Sequence, residues 1–300
     1  MSGAGVRAIL VEGAWRHRDV RANGVRFHVA LGEHFDPRRP LVLLLHGFAQ
    51  FWWAWRHQIP ALDQAGYAVA ALDLRGYGAS DKTPRGYDPV TSAADVAGVI
   101  AGLGFDVAVL VGHDWGGIAA WSTQAYAPRR VRGLALVAAP HPLAYPWRID
   151  RVGRSFGQLP VLPERRLVAA GGRFVGELLR RRAGRADFLT AAEIRRYREA
   201  LQRWPSPQRA LAYQRAFVRQ RLRAAGRDYR QALRQAEPVP LLRVHGERDA
   251  LVPLTSMTWG PAWGPLVSLP GVGHLPPEEA PDLVSAALVD WLGDLGGTGQ

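Results

Sequence analysis

Short uninterrupted apolar runs alternate along this chain with longer stretches in which apolar residues recur every three or four positions. Leu41–Leu45 is the clearest run, apolar at every position, as a strand buried on both faces should be. Tyr67–Leu72, Val107–Val111 and Val131–Ala138 repeat the pattern, and Val25–Leu31 opens the series behind an Asn23-Gly24 turn signal. Between them, Trp52–Gln64, Ser92–Leu103 (capped by Thr91 or Ser92) and a segment from Trp115 to about Ala127 carry helical spacing. Strand and helix in alternation predict an α/β fold, a mostly parallel central sheet flanked by helices.

The rhythm breaks at Pro140, Pro142 and Pro146. From about Leu143 to Gln235 the chain reads as helical and basic, and the sheet pattern resumes at Pro240–His245 and Leu266–Leu269. An amphipathic helix from about Glu278 to Leu292 and a Gly-rich, disordered tail, Gly293–Gln300, complete the prediction. The expected organisation is therefore a core of residues 1–140 and 236–300, interrupted by an inserted helical cap, 141–235.

Composition narrows the chemistry. The chain has no cysteine, which excludes a thiolate nucleophile, a disulfide scaffold and an iron–sulfur cluster. Its formal net charge is +12, and the excess lies in the helical stretch, where 143–235 hold 22 arginines against 7 acidic residues. These arginines fall at helical spacing among Leu, Ala and Val, so they are expected on solvated helix faces. Aromatics do not interleave with them as stacking platforms do, so no nucleic-acid partner is expected. No apolar run reaches the ~18 residues of a membrane span, and no basic-then-apolar leader opens the chain. A cytoplasmic protein, monomer or homodimer, acting on a small molecule is the expectation.

Gly112-His113-Asp114-Trp115-Gly116 lies between a predicted strand and a predicted helix, with the spacing of a nucleophile elbow and Asp in the nucleophile's place. Such a turn holds its middle residue in a strained conformation, and neighbours with a Cβ would clash. His46-Gly47-Phe48 follows Leu41–Leu45, where the second oxyanion donor of this architecture sits. Asp249 follows Pro240–His245, and His274 precedes the last helix. Nucleophile, acid and histidine thus come in that order, each at the C-terminal end of a predicted strand, where open α/β sheets build their sites.

In these features the chain resembles the α/β-hydrolase superfamily, in the branch with an aspartate nucleophile: epoxide hydrolases, haloalkane dehalogenases and fluoroacetate dehalogenases. The stretch from His46 to Arg56 (HGFAQFWWAWR) and that from Asp73 to Lys82 (DLRGYGASDK) are similar to epoxide hydrolases almost residue by residue. Ala49 departs from the family's His-Gly-x-Pro. Of the two cap tyrosines that hold the epoxide oxygen in the family, the first falls near Gly153 and the second at Tyr213 or Gln214.

The resemblance implies hydrolysis of epoxides to vicinal diols, without cofactor or metal. Asp114 would form an alkyl ester, His274 oriented by Asp249 would activate water, and the Phe48 and Trp115 backbone N–H groups would form the oxyanion hole. Haloalkane or haloacid dehalogenation by the same triad is an alternative, with Trp115 placed to donate to halide and Phe48 unable to. A hydrolase-like binding protein with weak or no catalysis is a third reading. Tyr213 is the expected donor to the leaving oxygen, with Tyr145, Tyr197 and Tyr229 as alternatives. Trp52, as one of the Trp52, Trp53, Trp55 cluster, and His141 are expected at the substrate. His113 is expected to pack inward and His46 to orient the oxyanion loop. Asp73 and Arg75 should anchor a loop, and Asp95 should lie on a helix surface.

Overall fold

The computed structural model describes residues 9–145, 157–185, 187–221, 223–259 and 264–297. Eight strands among them make one sheet: β1 (Trp15–Ala22), β2 (Val25–Gly32), β3 (Leu41–Leu45), β4 (Ala68–Leu72), β5 (Ala108–His113), β6 (Val131–Val137), β7 (Leu241–Gly246) and β8 (Leu266–Leu269). Their order is β1-β2-β4-β3-β5-β6-β7-β8. β2 runs antiparallel to both its neighbours, and every later pairing is parallel. Every residue of β3, β4 and β5 is buried, which their unbroken apolar runs require. Leu45 at the end of β3 pairs with Leu72 at the end of β4 and with Gly112 of β5. The loops leaving β3 and β5 therefore emerge at one level, side by side.

Helices α1 (Gln58–Gln64), α2 (Pro89–Gly102), α3 (Trp115–Tyr126) and α8 (Pro281–Gly297) belong to the sheet region. Between β6 and β7 lie α4 (Leu162–Arg182), α5 (Ala191–Gln202), α6 (Ser206–Gln220) and α7 (Ala224–Gln235), all within the stretch that the sequence marks as a helical insertion. α4 is interrupted where Ala170, Gly171 and Gly172 take φ of 48°, 64° and 75°. The paired glycines there make a left-handed reversal inexpensive.

Several expectations need correction. β1 carries no apolar run in the sequence because it is an edge strand whose outward residues are Arg and Asp; only Val20 and Ala22 are buried. The predicted helix Trp52–Gln64 is a 3₁₀ turn, Trp52–Trp55, followed by α1. α2 is capped one turn earlier than expected, by the Asp88 carboxylate on the Thr91 N–H, with Pro89 at the first helical position. The last helix starts after a separate turn, Pro276–Glu279, and runs through Gly297, so the helix occupies most of the tail expected to be disordered.

A buried carboxylate ties α5 to the core. Glu278 accepts from Arg56 at 2.7 Å, from the Tyr197 hydroxyl of α5 at 2.6 Å and from Gln50 at 2.9 Å. Both members of the ion pair are out of solvent, with side-chain exposures of 9% for Arg56 and 0% for Glu278. Removing one partner of such a pair strands the other charge. We therefore expect Glu278→Ala to cost about 3–5 kcal/mol, read from urea unfolding followed by tryptophan fluorescence. A loss below about 1 kcal/mol would show that the pair does not anchor the insertion.

Candidate active site

Asp114 is the residue between β5 and α3, and its backbone is left-handed, with φ 48° and ψ −114°. A non-glycine residue is held there only when its surroundings over-determine it. They do so by close packing: a Cβ on Gly116 would lie 2.1 Å from the Leu45 carbonyl oxygen, and one on Gly112 2.6 Å from that of Gly116. The turn thrusts the Asp114 carboxylate toward the loop after β3, where Oδ2 accepts from the Phe48 N–H at 3.0 Å. Among the described residues no hydrogen bond is made to Oδ1. Trp115 opens α3, so its N–H has no acceptor within the helix.

The Phe48 N–H is itself positioned. Ala49 turns the chain with φ 64°, a value proline cannot adopt, so this loop achieves its reversal without the proline of the pattern it resembles. His46 donates from Nδ1 to the Gly47 carbonyl (2.9 Å) and accepts the Leu74 N–H at Nε2 (3.1 Å). With both nitrogens committed it holds the loop, as expected. Gln50 Oε1 accepts from the Gly47 N–H at 3.2 Å and lies 2.9 Å from His113 Nδ1. His113 packs inward, as expected, its Nε2 2.7 Å from the His274 carbonyl.

His274 Nδ1 lies 2.8 Å from Asp249 Oδ2, and Asp249 Oδ1 accepts the N–H groups of Leu251 (2.8 Å) and Val252 (3.0 Å). The imidazole is thus fixed with Nε2 toward Asp114, 3.9 Å from Oδ2. That exceeds hydrogen-bond length, and Nε2 is buried without a hydrogen-bond partner. Burial lowers the pKa of His274, but Asp249 first and Asp114 next raise it, to about 9. Burial raises that of Asp114, yet His274 and Arg182 outweigh it and hold the carboxyl well below the usual range.

One positioning residue carries no signal in the sequence. Glu279 accepts four backbone N–H groups: Gly273 (2.8 Å) and Leu275 (2.9 Å), which flank His274, and Gly184 (2.8 Å) and Arg185 (2.9 Å), just beyond α4. Its partners are main-chain groups, which no residue pattern reveals. Between the two flanking residues, the His274 N–H donates to the Arg182 carbonyl at 2.8 Å.

A cavity of about 510 Å³ opens over this constellation. Phe48, Asp114, Trp115, Tyr145 and His274 line it, with Leu167, Phe174, Leu178 and Leu211 as its apolar wall. Tyr145 faces the cavity, its ring stacked on Trp115 at 6.4 Å. Tyr213 does not: its hydroxyl donates to the Arg75 carbonyl at 3.0 Å, and the next residue on α6, Gln214, faces the cavity instead. Tyr197 is bound to Glu278, and the Tyr229 hydroxyl lies 2.9 Å from Ser122 Oγ. Trp52 is fully buried, donating to the Ile9 carbonyl at 2.8 Å, and neither it, Trp53 nor Trp55 lines the cavity. His141 also lies outside it, packed against Trp121 (4.5 Å) and Trp259 (5.3 Å). Gly153 falls outside the described residues.

Two charge assignments change as well. Asp95 is buried in an ion pair with Arg75, so it is not a helix-surface residue. Arg75 and Asp73 do anchor loops, Asp73 by accepting the N–H groups of Trp52 and Ala79, each at 2.8 Å. Arg182, expected on a solvated face, is instead partly buried at the cavity with Nη1 3.8 Å from Asp114 Oδ2, whereas Arg166 and Arg181 are exposed as expected and also line the cavity. Among the described residues, no three His, Asp or Glu side chains are grouped to hold a metal ion. No described helix is long and apolar enough to cross a membrane.

The sequence pattern of the alpha/beta hydrolase fold family matches residues 40–281. The chain is 35% identical over 202 residues to the AB hydrolase superfamily protein YfhM of Bacillus subtilis, covering 63% of this chain and 67% of that protein. It is 43% identical over 126 residues to Epoxide hydrolase B of Mycobacterium tuberculosis, covering 41% of this chain and 35% of that relative. The match to this second relative thus spans about a third of its length. Among solved structures, Epoxide Hydrolase A from Mycobacterium thermoresistibile superposes with a TM-score of 0.80 at 27% identity, covering 93% of this chain and 98% of that one. An epoxide hydrolase from an endophytic Streptomyces gives 0.79 at 28% identity, covering 95% and 97%.

The electrostatics at His274 yield a direct test. Its imidazole should titrate near pH 9, protonated below and neutral above. Asp114→Asn removes one of the two anions beside it, so the midpoint should move down, as read by NMR titration of the ring. Because the folded value lies above the unfolded 6.5, this group's contribution to stability should be complete below about pH 6.5 and fade as pH rises through 9. An unchanged midpoint in Asp114→Asn would show that the two side chains are not coupled.

Proposed function

The chain belongs to the alpha/beta hydrolase fold family, and on that premise we propose that it hydrolyses epoxides to vicinal diols through an ester formed on Asp114. The observation that carries this reading is the geometry at that residue. One carboxylate oxygen is held by the Phe48 N–H at 3.0 Å, beside a histidine 3.9 Å away whose far nitrogen is fixed by Asp249. A carboxylate with a depressed pKa is ionised without a base and can attack an sp³ carbon directly. Attack on an ester carbonyl would give a mixed anhydride instead, which disfavours esterase chemistry. Relatives named as epoxide hydrolases support the substrate class.

In the first step Oδ1 of Asp114 bonds to a ring carbon and the C–O bond of the epoxide breaks. Tyr145, the described tyrosine that lines the cavity, gives its phenolic proton to the leaving oxygen. Esterification removes the Asp114 charge that helps keep His274 protonated, and in the second step the neutral imidazole takes a proton from water while the hydroxide adds to the Asp114 carbonyl carbon. The oxyanion that forms on Oδ2 is stabilised by the N–H groups of Phe48 and Trp115, worth roughly 3–4 kcal/mol per donor. Collapse expels the diol oxygen, which takes the proton back from His274, and the carboxyl proton restores the phenol. The inserted helices act as the lid that excludes bulk water from these steps.

One observation favours a second reading, C–halogen cleavage by the same triad. Among the described residues, beside the single phenol of Tyr145, the cavity side-chain donors are N–H groups of Arg166, Arg181, Arg182, Gln214 and the Trp115 indole, and halide leaves without needing a proton.

Wild-type protein should convert styrene oxide to its diol, and Asp114→Asn should lose roughly 10³-fold or more in kcat. His274→Gln should accumulate an adduct heavier by one epoxide, mapping to Asp114 by peptide mass spectrometry. Tyr145→Phe should slow adduct formation. Halide release from haloalkanes with no diol from any epoxide would move the assignment to the second reading.

A further inference from the structure

The cavity wall has an unusual charge balance. Among the described residues, Asp114 is its one acidic side chain, set against three guanidinium groups, Arg166, Arg181 and Arg182. Arg182 is the innermost. It is the last residue of α4, and its backbone is fastened on both sides: its carbonyl accepts the His274 N–H, and Gly184 and Arg185 are held by Glu279. Its guanidinium lies over the Phe48 ring, 5.4 Å from the centroid. At 3.8 Å from Asp114 Oδ2 it neutralises that carboxylate without hydrogen-bonding to it, and its Nε is buried with no acceptor. A fixed cation with unused donors beside the reacting group is a built receptor for an anion.

Resting on the hydrolase reading above, we propose that the substrate is an epoxide bearing a carboxylate within one or two bonds of the ring, and that Arg182 binds that carboxylate. The short spacing follows from the 3.8 Å between the guanidinium and the attacking carboxylate. A charge argument points the same way. Once Asp114 is esterified its negative charge is gone, and Arg182 is left in a half-buried wall without a counter-ion. A carboxylate on the substrate supplies that counter-charge throughout. One buried guanidinium matches a monoanion, whereas a phosphate dianion would crowd excess charge against Asp114. The rest of the molecule is apolar, because Leu167, Phe174, Leu178 and Leu211 form the wall beyond. Arg166 and Arg181, exposed at the opening, draw the anion in through the solvent.

The matched pair 3-phenylglycidate and 3-phenylglycidamide tests this. The acid should exceed the amide in kcat/KM by about tenfold or more, the size of one charge-assisted contact. Arg182→Gln should level that ratio. Sodium chloride should depress turnover of the acid but not of the amide, and the double variant Arg166→Gln, Arg181→Gln should flatten that salt dependence. Binding of the unreactive pair cinnamate and cinnamamide, by calorimetry, reads the anion site without catalysis. If no epoxide turns over but cinnamate binds through Arg182, the hydrolase reading falls and the anion site stands. If acid and amide turn over equally and bind equally, the anion site falls and the hydrolase reading stands.

Discussion

Everything at this site depends on a single carboxylate being held in the left-handed region of backbone space at the end of β5. Asp114 is there because the strand, the turn and α3 pack so closely that Gly112 and Gly116 have no room for a Cβ. The conformation costs about 1–3 kcal/mol, and the parallel strands on both sides of β5 hold it in place. From that one backbone state follow the reach of Oδ2 to the Phe48 N–H, its separation from His274 and the start of α3 directly behind it.

A second layer of buried carboxylates holds the partners of Asp114 in place. Glu278 gathers Arg56, Gln50 and Tyr197, and Glu279, its neighbour in sequence, gathers four main-chain N–H groups. The first joins α5 to the core, and the second joins the end of α4 to the loop that carries His274. The helical insertion is therefore coupled to the histidine through backbone contacts. Through the same strap Arg182 is set beside Asp114, so the helices between β6 and β7 both line the cavity and supply its innermost cation.

The core was legible in the chain because its signals are local. Unbroken apolar runs mark β3 to β5, a run interrupted by Arg132 marks β6, and glycines around an acidic residue between strand and helix mark the elbow. The chain order of Asp114, Asp249 and His274 places each at a strand end. The wall of the cavity was much less legible, because it depends on which way a helix faces. Tyr213 and Gln214 are adjacent, and a turn of about 100° between them decides which one faces the cavity. The arginine-rich periodicity likewise does not separate Arg182, half-buried over Phe48, from the exposed arginines of the same helices. β1 went unread because its outer face is polar, and Glu279 because its partners are main-chain groups.

Covalent attachment of the substrate to Asp114 is the step on which the proposed mechanism turns. One turnover in ¹⁸O-labelled water, with enzyme in excess over styrene oxide, tests this most directly. Hydroxide attack on the ester carbonyl predicts heavy oxygen in the Asp114 peptide and unlabelled diol from that first turnover. Label in the diol alone, with Asp114 unlabelled, would mean that water attacks the ring directly and would contradict the covalent route.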